Sequence, residues 1–256
     1  MTSVIRARQV GVRFDTTEAL AGINLEVPRG AFVSIVGPSG CGKSTLLRAI
    51  AGLTPVACGS LEVAGQTPQQ ARRQALREAF VFQDPTLLPW RTVAENAALV
   101  LELGKTPETS RGPGVMHAIT SVGLQEFADA YPDQLSGGMR MRASLARALV
   151  TDPELLLLDE PFGALDELTR QRLHLDLRRL WQTAGFTALA VTHNVFEAVF
   201  LAQRVVVLSP RPGRIVAEIS VDLAGERSLD LLTEPAFLKI VAEVSRALRA
   251  CEEPAS

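Results

Sequence analysis

Short continuous apolar runs bounded by polar turns occupy the two ends of the chain, while the middle carries apolar residues at helical spacing. Val4 to Phe14, Ile23 to Val27 and Ala31 to Val36 read as strands, and the last feeds a glycine-rich stretch. A helix then begins near Gly42, runs through Leu46, Leu47 and Ile50 to about Ala51, and stops at Gly52. Phe80-Val81-Phe82 is a further short strand. From Asp84 to about Val150 the pattern is helical. Thr92-Val93-Ala94-Glu95 is a capping box opening a helix that ends near Gly104. Gly104 to Gly114, with two prolines, reads as a loop. Val115 to Val122 and Gln125 to Ala130 read as short helices, and Ser136 as the N-cap of a helix reaching Leu149. Strands return at Leu155 to Leu158, Thr187 to Val191 and Val205 to Leu208; the first, apolar throughout, suits a parallel strand covered on both faces. Leu173, Leu177, Leu180 and Trp181 share a helical face, as do Phe237, Ile240, Val241, Val244 and Leu248. The second stripe reads as a helix docked on the core, with dimer contact as the alternative.

Two loops in this layout suit phosphate. Gly37-Pro38-Ser39-Gly40-Cys41-Gly42-Lys43-Ser44, followed by Thr45, fits the Walker A pattern and lies between a strand and a helix. Its glycines let backbone N–H groups approach phosphate oxygens, and the following helix points its positive end at them. Lys43 would reach the β- and γ-phosphates, and Ser44 would hold Mg²⁺. The second loop, Leu135-Ser136-Gly137-Gly138-Met139-Arg140, also opens a helix. One nucleotide needs one cradle, so two loops suggest a site shared between two copies of the chain.

Asp159 ends an apolar strand, where open α/β sheets place ligand-binding groups, and is the Walker B candidate for Mg²⁺. Glu160 beside it can orient and polarise an attacking water; standing alone, the two acids would read as a solvated turn. Gln83 and His193 also follow strand ends and could reach the same cleft, though a lone Gln or His at such a place is more often structural. His117 and His174 fall on helices and read as structural.

Composition narrows the partners. The 256 residues are 47% apolar and 21% charged with a formal net charge of -2, enough for a proper core and without the basic field a polyanion requires, so nucleic acid is not expected. The N-terminus has charge where an export signal needs its apolar core, which points to the cytoplasm. The region from Phe186 to Leu208 is broken by His193, Asn194, Glu197, Gln203 and Arg204, too many polar groups for a span of about 20 apolar residues. Cys41, Cys58 and Cys251 follow no disulfide or zinc spacing. Because Cys41 lies in the phosphate loop, its alkylation is expected to hinder nucleotide binding, with ATP protecting it.

These residues, in this order, resemble the ATP-binding subunit of an ATP-binding-cassette transporter over nearly the whole chain. The resemblance makes Leu135 to Arg140 the family signature, with Met139 where many members have glutamine. It makes Gln83 the Q-loop residue, Asp166 the D-loop residue, His193 the switch histidine and Phe14 the ring that stacks on adenine; a strand-end core phenylalanine is the alternative for Phe14. Gly163 stands where many members have serine. The implied fold is α/β: a P-loop NTPase core with a mostly parallel sheet, an N-terminal antiparallel β subdomain and an inserted helical subdomain. The implied division is 1–84 and 151–222 for the core with its β subdomain, 85–150 for the helical subdomain and 223–256 for a C-terminal helical extension. ATP and Mg²⁺ are the implied ligands, with Ser44, Gln83 and Asp159 toward the metal. The family machinery implies a homodimer sandwiching two ATP molecules, an integral membrane permease, a periplasmic or lipid-anchored substrate-binding protein, and a peripheral place on the cytoplasmic face of the cell membrane. A coupling element of the permease would meet an apolar patch at Leu87, Leu88, Pro89 and Trp90, for which ordinary packing is the alternative.

A narrower resemblance is to the nitrate, sulfonate, taurine and bicarbonate importer group, which includes thiamine-precursor importers. It rests on Phe82-Gln83-Asp84-Pro85 with Leu88-Pro89-Trp90, on Met139-Arg140-Met141-Arg142, and on Ser209-Pro210-Arg211-Pro212-Gly213-Arg214. Arg140, Arg142, Arg147, Arg211 and Arg214 are expected to be solvated or salt-bridged rather than to read a ligand. Two competing readings remain, a P-loop kinase and a soluble cassette ATPase of repair or translation. The chain offers no acceptor-binding element for the first and only one motif set for the second.

Overall fold

The structure, a computed structural model, describes residues 2–74, 77–223 and 225–252. The chain opens with β1 (Ser3–Phe14) and β2 (Thr17–Pro28), then β3 (Phe32–Val36), α1 (Lys43–Ile50), β4 (Cys58–Val63), α2 (Pro68–Gln74) and β5 (Glu78–Val81). Three helices follow, α3 (Val93–Leu103), α4 (Glu108–Ser121) and α5 (Gly137–Leu149). Beyond them come β6 (Leu155–Asp159), α6 (Glu167–Ala184), β7 (Thr187–Thr192), α7 (Val195–Leu201), β8 (Arg204–Leu208), β9 (Ile215–Ser220) and α8 (Pro235–Glu252).

Two sheets result. One is antiparallel in the order β2-β1-β4; the other has the order β5-β6-β7-β3-β8-β9, parallel except for the antiparallel edge strand β9. The α/β expectation, with an antiparallel N-terminal sheet and a mostly parallel central one, is borne out. In β6, Leu155 and Leu157 face α1 and the antiparallel sheet, while Leu156 and Leu158 face the core under the remaining helices. β7 and β8 divide in the same way, so both faces of the middle strands are covered. That is why their sequences read as unbroken apolar runs. Parallel strands also end at one edge: β3, β5, β6 and β7 deliver the phosphate loop, Gln83, Asp159-Glu160 and His193 to the same side of the sheet.

Several elements depart from the sequence reading. The stretch expected to be a loop up to Gly114 is helical from Glu108 onward, although Pro113 lies inside the helix and cannot donate to the carbonyl four residues before it. Val115, Ala118, Ile119 and Val122 supply the compensation, a stripe buried against the core that outweighs local propensity. Gln125–Phe127 is a single 3-10 turn rather than a helix to Ala130, β5 ends at Val81 instead of Phe82, and β2 is longer at both ends than Ile23 to Val27. β4 and β9 carry no clear signal because they are edge strands with mostly exposed residues. The stripes on α6 and α8 are where the spacing puts them: Leu173, Leu177, Trp181, Phe237, Val241 and Val244 are buried, and Leu180, Ile240 and Leu248 are half-buried against the same core.

One core-edge residue is costly. Glu78, at the start of β5, has a buried Oε2 without a hydrogen-bond partner, and burial pushes its carboxyl up to about 7 despite the opposing charge of Arg72. A carboxyl whose folded value lies above its unfolded one binds extra protons in the native state, so stability falls as pH rises from about 4.5 to 7. Glu78→Gln should therefore raise the melting temperature at pH 8 more than at pH 5. Equal shifts at the two pH values would contradict the assignment.

Candidate functional site

The phosphate loop leaves the end of β3 and turns into α1 through Gly40 and Gly42, both at positive φ, 75° and 106°. Gly42 has a second constraint: a Cβ there would sit 2.7 Å from Leu20 Cδ2 and 2.9 Å from the Ala19 carbonyl, so β2 is packed directly on the loop. Lys43 is 5% exposed and its Nζ donates to the carbonyls of Gly37 (2.8 Å) and Pro38 (3.0 Å). Ser44 Oγ donates to Asp159 Oδ1 at 2.6 Å. Ser39, Gly40, Gly42, Lys43, Ser44, Thr45, Glu160 and Arg211 line a polar cleft of about 180 Å³.

Glu160 adopts φ 46°, a left-handed conformation that non-glycine residues seldom take, at the turn where β6 ends. Its N–H donates to the Val191 carbonyl at 3.0 Å, which holds that strained turn against β7. The carboxylate is thereby fixed between Lys43 and His193: Oε1 lies 3.9 Å from Lys43 Nζ, and Oε2 lies 2.9 Å from His193 Nδ1. His193 occupies the junction between β7 and α7, where the Asn194 side chain caps α7 by accepting from the Glu197 N–H. Gly163 collects the rest: a Cβ built on it would lie 3.6 Å from the Glu160 carbonyl, 3.7 Å from His193 Cε1 and 4.0 Å from Gln83 Nε2. Gln83, Glu160 and His193 therefore converge on one niche. The spacings around Gly163 are ordinary contacts, so the serine of many family members would fit there.

Ser136, Gly137, Gly138 and Asp166 form a second cluster. Ser136 Oγ accepts from the Met139 N–H and caps α5, while Asp166 Oδ1 accepts from the Thr169 N–H and caps α6. Those bonds from Thr169 hold the Asp166 carboxyl below its ordinary value. The two helix starts touch, since a Cβ on Gly138 would sit 2.3 Å from Thr169 Cγ2 and one on Gly137 3.9 Å from Leu165 Cδ2. None of Ser136, Gly137, Gly138 and Asp166 lines the phosphate cleft. Phe14 is 49% exposed at the end of β1, in the hairpin whose Ala19 and Leu20 abut Gly42.

Arg140, Arg147 and Arg211, expected to be solvated or salt-bridged, instead bind backbone carbonyls. The loop of residues 209–214 backs the phosphate loop: Arg211 Nη2 and Nε donate to the Gly40 carbonyl at 3.0 and 3.2 Å, and Gly213 lies against the Cys41 carbonyl. Arg147 donates to the carbonyls of Pro85 and Thr86, both at 2.8 Å, anchoring the segment after Gln83 to α5. Arg142 does pair with Asp176, at 2.9 Å, and Arg140 donates to the Leu135 carbonyl. Only a turn-rich Pro-Arg-Pro-Gly stretch hinted at the first contact, and a lone helical arginine could not disclose the second. His174 is buried beside Glu197 at 3.3 Å, the structural place expected of it.

Cys41 is poorly placed for the alkylation whose effect on nucleotide binding the sequence anticipates. It is 1% exposed and burial pushes its thiol up, so both access and thiolate are scarce. Cys58 is exposed. Iodoacetamide should label Cys58 well before Cys41, as peptide mapping over time would show. Faster labelling at Cys41 would mean that the loop opens in solution.

The strand-loop-helix cradle, the acidic strand end and the second glycine-rich helix start together define a nucleotide-binding cassette, and the chain belongs to the ABC transporter family, whose model matches residues 20–163. Among its relatives, a taurine import ATP-binding protein of Rhizobium johnstonii is 39% identical over 243 residues, spanning 93% of this chain and 92% of that one. A nitrate import ATP-binding protein of Synechocystis is 43% identical, over 91% of this chain and 89% of that one. An aliphatic sulfonates import ATP-binding protein of Cupriavidus necator is 47% identical, over 87% and 71%. A solved dimeric ATP-binding cassette in a post-hydrolysis state with ADP and Pi has a TM-score of 0.75 at 30% identity, covering 86% of this chain and all of that one. The P-loop NTPase fold of an ABC cassette is thus established, and the homologues are ATP-binding subunits of importers.

Proposed function

We propose that the chain is the ATP-hydrolysing motor of an importer for a small solute of the sulfonate, nitrate, taurine or pyrimidine-like class, working as a homodimer that closes on two ATP molecules. The observation that carries this is the separation of the phosphate cleft from the Ser136, Gly137 and Gly138 helix start. A γ-phosphate held by Lys43 of one copy then finds its remaining donors at the signature loop of the other. Gly37, Pro38, Ser39, Gly40, Cys41, Gly42 and Thr45 wrap the phosphates, Phe14 stacks on the adenine, and Asp166 stands at the contact between copies. Glu160 accepts a proton from the attacking water while the bond from γ-phosphorus to its bridging oxygen breaks, giving ADP and Pi; His193 orients Glu160 and contacts the γ-phosphate.

A hydroxyl, a carboxylate and a side-chain amide oxygen, from Ser44, Asp159 and Gln83, form the hard oxygen set that suits Mg²⁺, and the first two already meet at 2.6 Å. When bound, Mg²⁺ would neutralise charge on the phosphate oxygens. The helical segment 85–150 reads as the subdomain that meets a separate membrane permease, residues 1–84 and 151–222 as the core, and 223–256 as a C-terminal extension. Among the described residues no helix is long and apolar enough to cross a membrane. The import ATP-binding proteins among the chain's relatives support a motor docked peripherally on the cytoplasmic face, with a substrate-binding protein completing the complex outside.

The docking patch is testable. Trp90 is 70% exposed, and Asn96 holds the segment behind it through the N–H and carbonyl of Leu88, at 2.8 and 3.1 Å. Trp90→Ala should leave basal phosphate release and melting temperature close to wild type while abolishing co-purification with the permease and solute uptake in vesicles. Equal loss of ATPase and uptake would place Trp90 in the fold. The function itself is tested by measuring Pi release from ATP without any acceptor: release supports an ATPase, and a strict need for an acceptor molecule would indicate a kinase.

A further inference from the structure

Arg178 of α6 and Arg227, in the segment before α8, are 8% and 5% exposed. The Arg178 guanidinium lies 4.6 Å over the Trp181 ring and donates through Nη1 to the Leu201 carbonyl at 2.6 Å, but its Nε has no hydrogen-bond partner. Arg227 is left further short, with both Nε and Nη1 buried and unpartnered. The two line one cavity of about 440 Å³ with Gln203, Val221, Asp222 and Leu223. Neither forms an ion pair with any described carboxylate. Asp222, the acidic side chain of the lining, is exposed.

A buried cation without a counter-charge is among the costliest arrangements in a fold, and two in one cavity also repel each other. Burial and the charge of Arg227 together push Arg178 down to about 10, and burial lowers Arg227 as well. Guanidinium N–H pairs are pre-shaped for the paired oxygens of an oxyanion.

We propose that Arg178 and Arg227 form a binding site for one small oxyanion, of the sulfate, phosphate, nitrate or sulfonate kind, held by the guanidinium groups that line this cavity. The site is distinct from the phosphate loop. Gln203 precedes the first residue of β8, whereas Leu208 at the other end of that five-residue strand touches Gly37; the strand alone separates them by roughly 17 Å.

Calorimetric titration of the full chain with sulfate, phosphate, nitrate and taurine, at constant ionic strength in chloride, tests this and distinguishes inorganic anions from a sulfonate. At least one should bind saturably at one per chain, with affinity kept in Lys43→Ala and weakened roughly tenfold or more in Arg227→Met and in Arg178→Met. Anion-induced thermal stabilisation should vanish in the same two variants, while Arg227→Met melts no lower than wild type in chloride because a buried charge has been removed. The absence of saturable binding by all four anions would overturn the proposal. So would binding lost in Lys43→Ala but kept in Arg227→Met, or an Arg227→Met protein that melts well below wild type in chloride.

Discussion

Glu160→Gln is expected to bind ATP about as well as wild type, to hydrolyse it about 10²- to 10⁴-fold more slowly, and to accumulate as an ATP-dependent dimer. The amide is isosteric and keeps the strained turn at φ 46°, whose backbone N–H is held by Val191. What it loses is the carboxylate that lies 2.9 Å from His193 Nδ1 and 3.9 Å from Lys43 Nζ, the group assigned to take a proton from water. With the γ-phosphate intact, the bridge between two copies persists. Sedimentation with ATP should then show a species of twice the 27.5 kDa chain mass, absent with ADP. Wild-type turnover would remove Glu160 from the reaction.

Gly213→Ala is expected to weaken ATP binding roughly 5- to 150-fold, the equivalent of about 1–3 kcal/mol of overpacking. The added Cβ would sit 2.2 Å from the Cys41 carbonyl and 3.1 Å from Leu20 Cδ2. A backbone atom cannot swing aside as a side chain can, so the phosphate loop or the loop of residues 209–214 must shift. Gly213 is also tied to β2 by its N–H to the Ala19 carbonyl and its carbonyl to the Ala21 N–H, both at 3.0 Å, which leaves the phosphate loop as the part that yields. Titration with a fluorescent ATP analogue would measure the loss. Unchanged affinity would show that the loop tolerates the displacement.

Legibility followed the physics of each element. The strands buried on both faces, such as Leu155 to Leu158, declared themselves by apolar runs, and the caps Thr92 and Ser136 obey chemistry confined to a few neighbouring residues. Asp159, Glu160, Gln83 and His193 were findable because parallel strands release their ends on one side. The first turns of α4, up to Gly114, were not, because the stability of that helix comes from partners on α3 and α5 while Pro113 and its small polar neighbours argue for a loop. Arg147, Arg211, Gly213 and Arg227 act across long sequence separations through contacts that no local pattern encodes. Cys41 showed the converse: its place in the phosphate loop was legible, and the burial that restricts a reagent's access to it was not.

Within one chain, Gly137 and Gly138 pack on Leu165 and Thr169 while Lys43 lines the cleft with Ser44 and Glu160, so each nucleotide site should need both halves from different copies. Mixing two inactive variants addresses this directly. Lys43→Ala spoils the phosphate cleft, and Ser136→Arg spoils the signature loop while leaving the cleft intact. A mixed dimer holds one site built from the intact cleft of one chain and the intact signature loop of the other. Phosphate release from the mixture should rise well above the sum of the two separate proteins; a mixture no more active than that sum would contradict a site shared between copies.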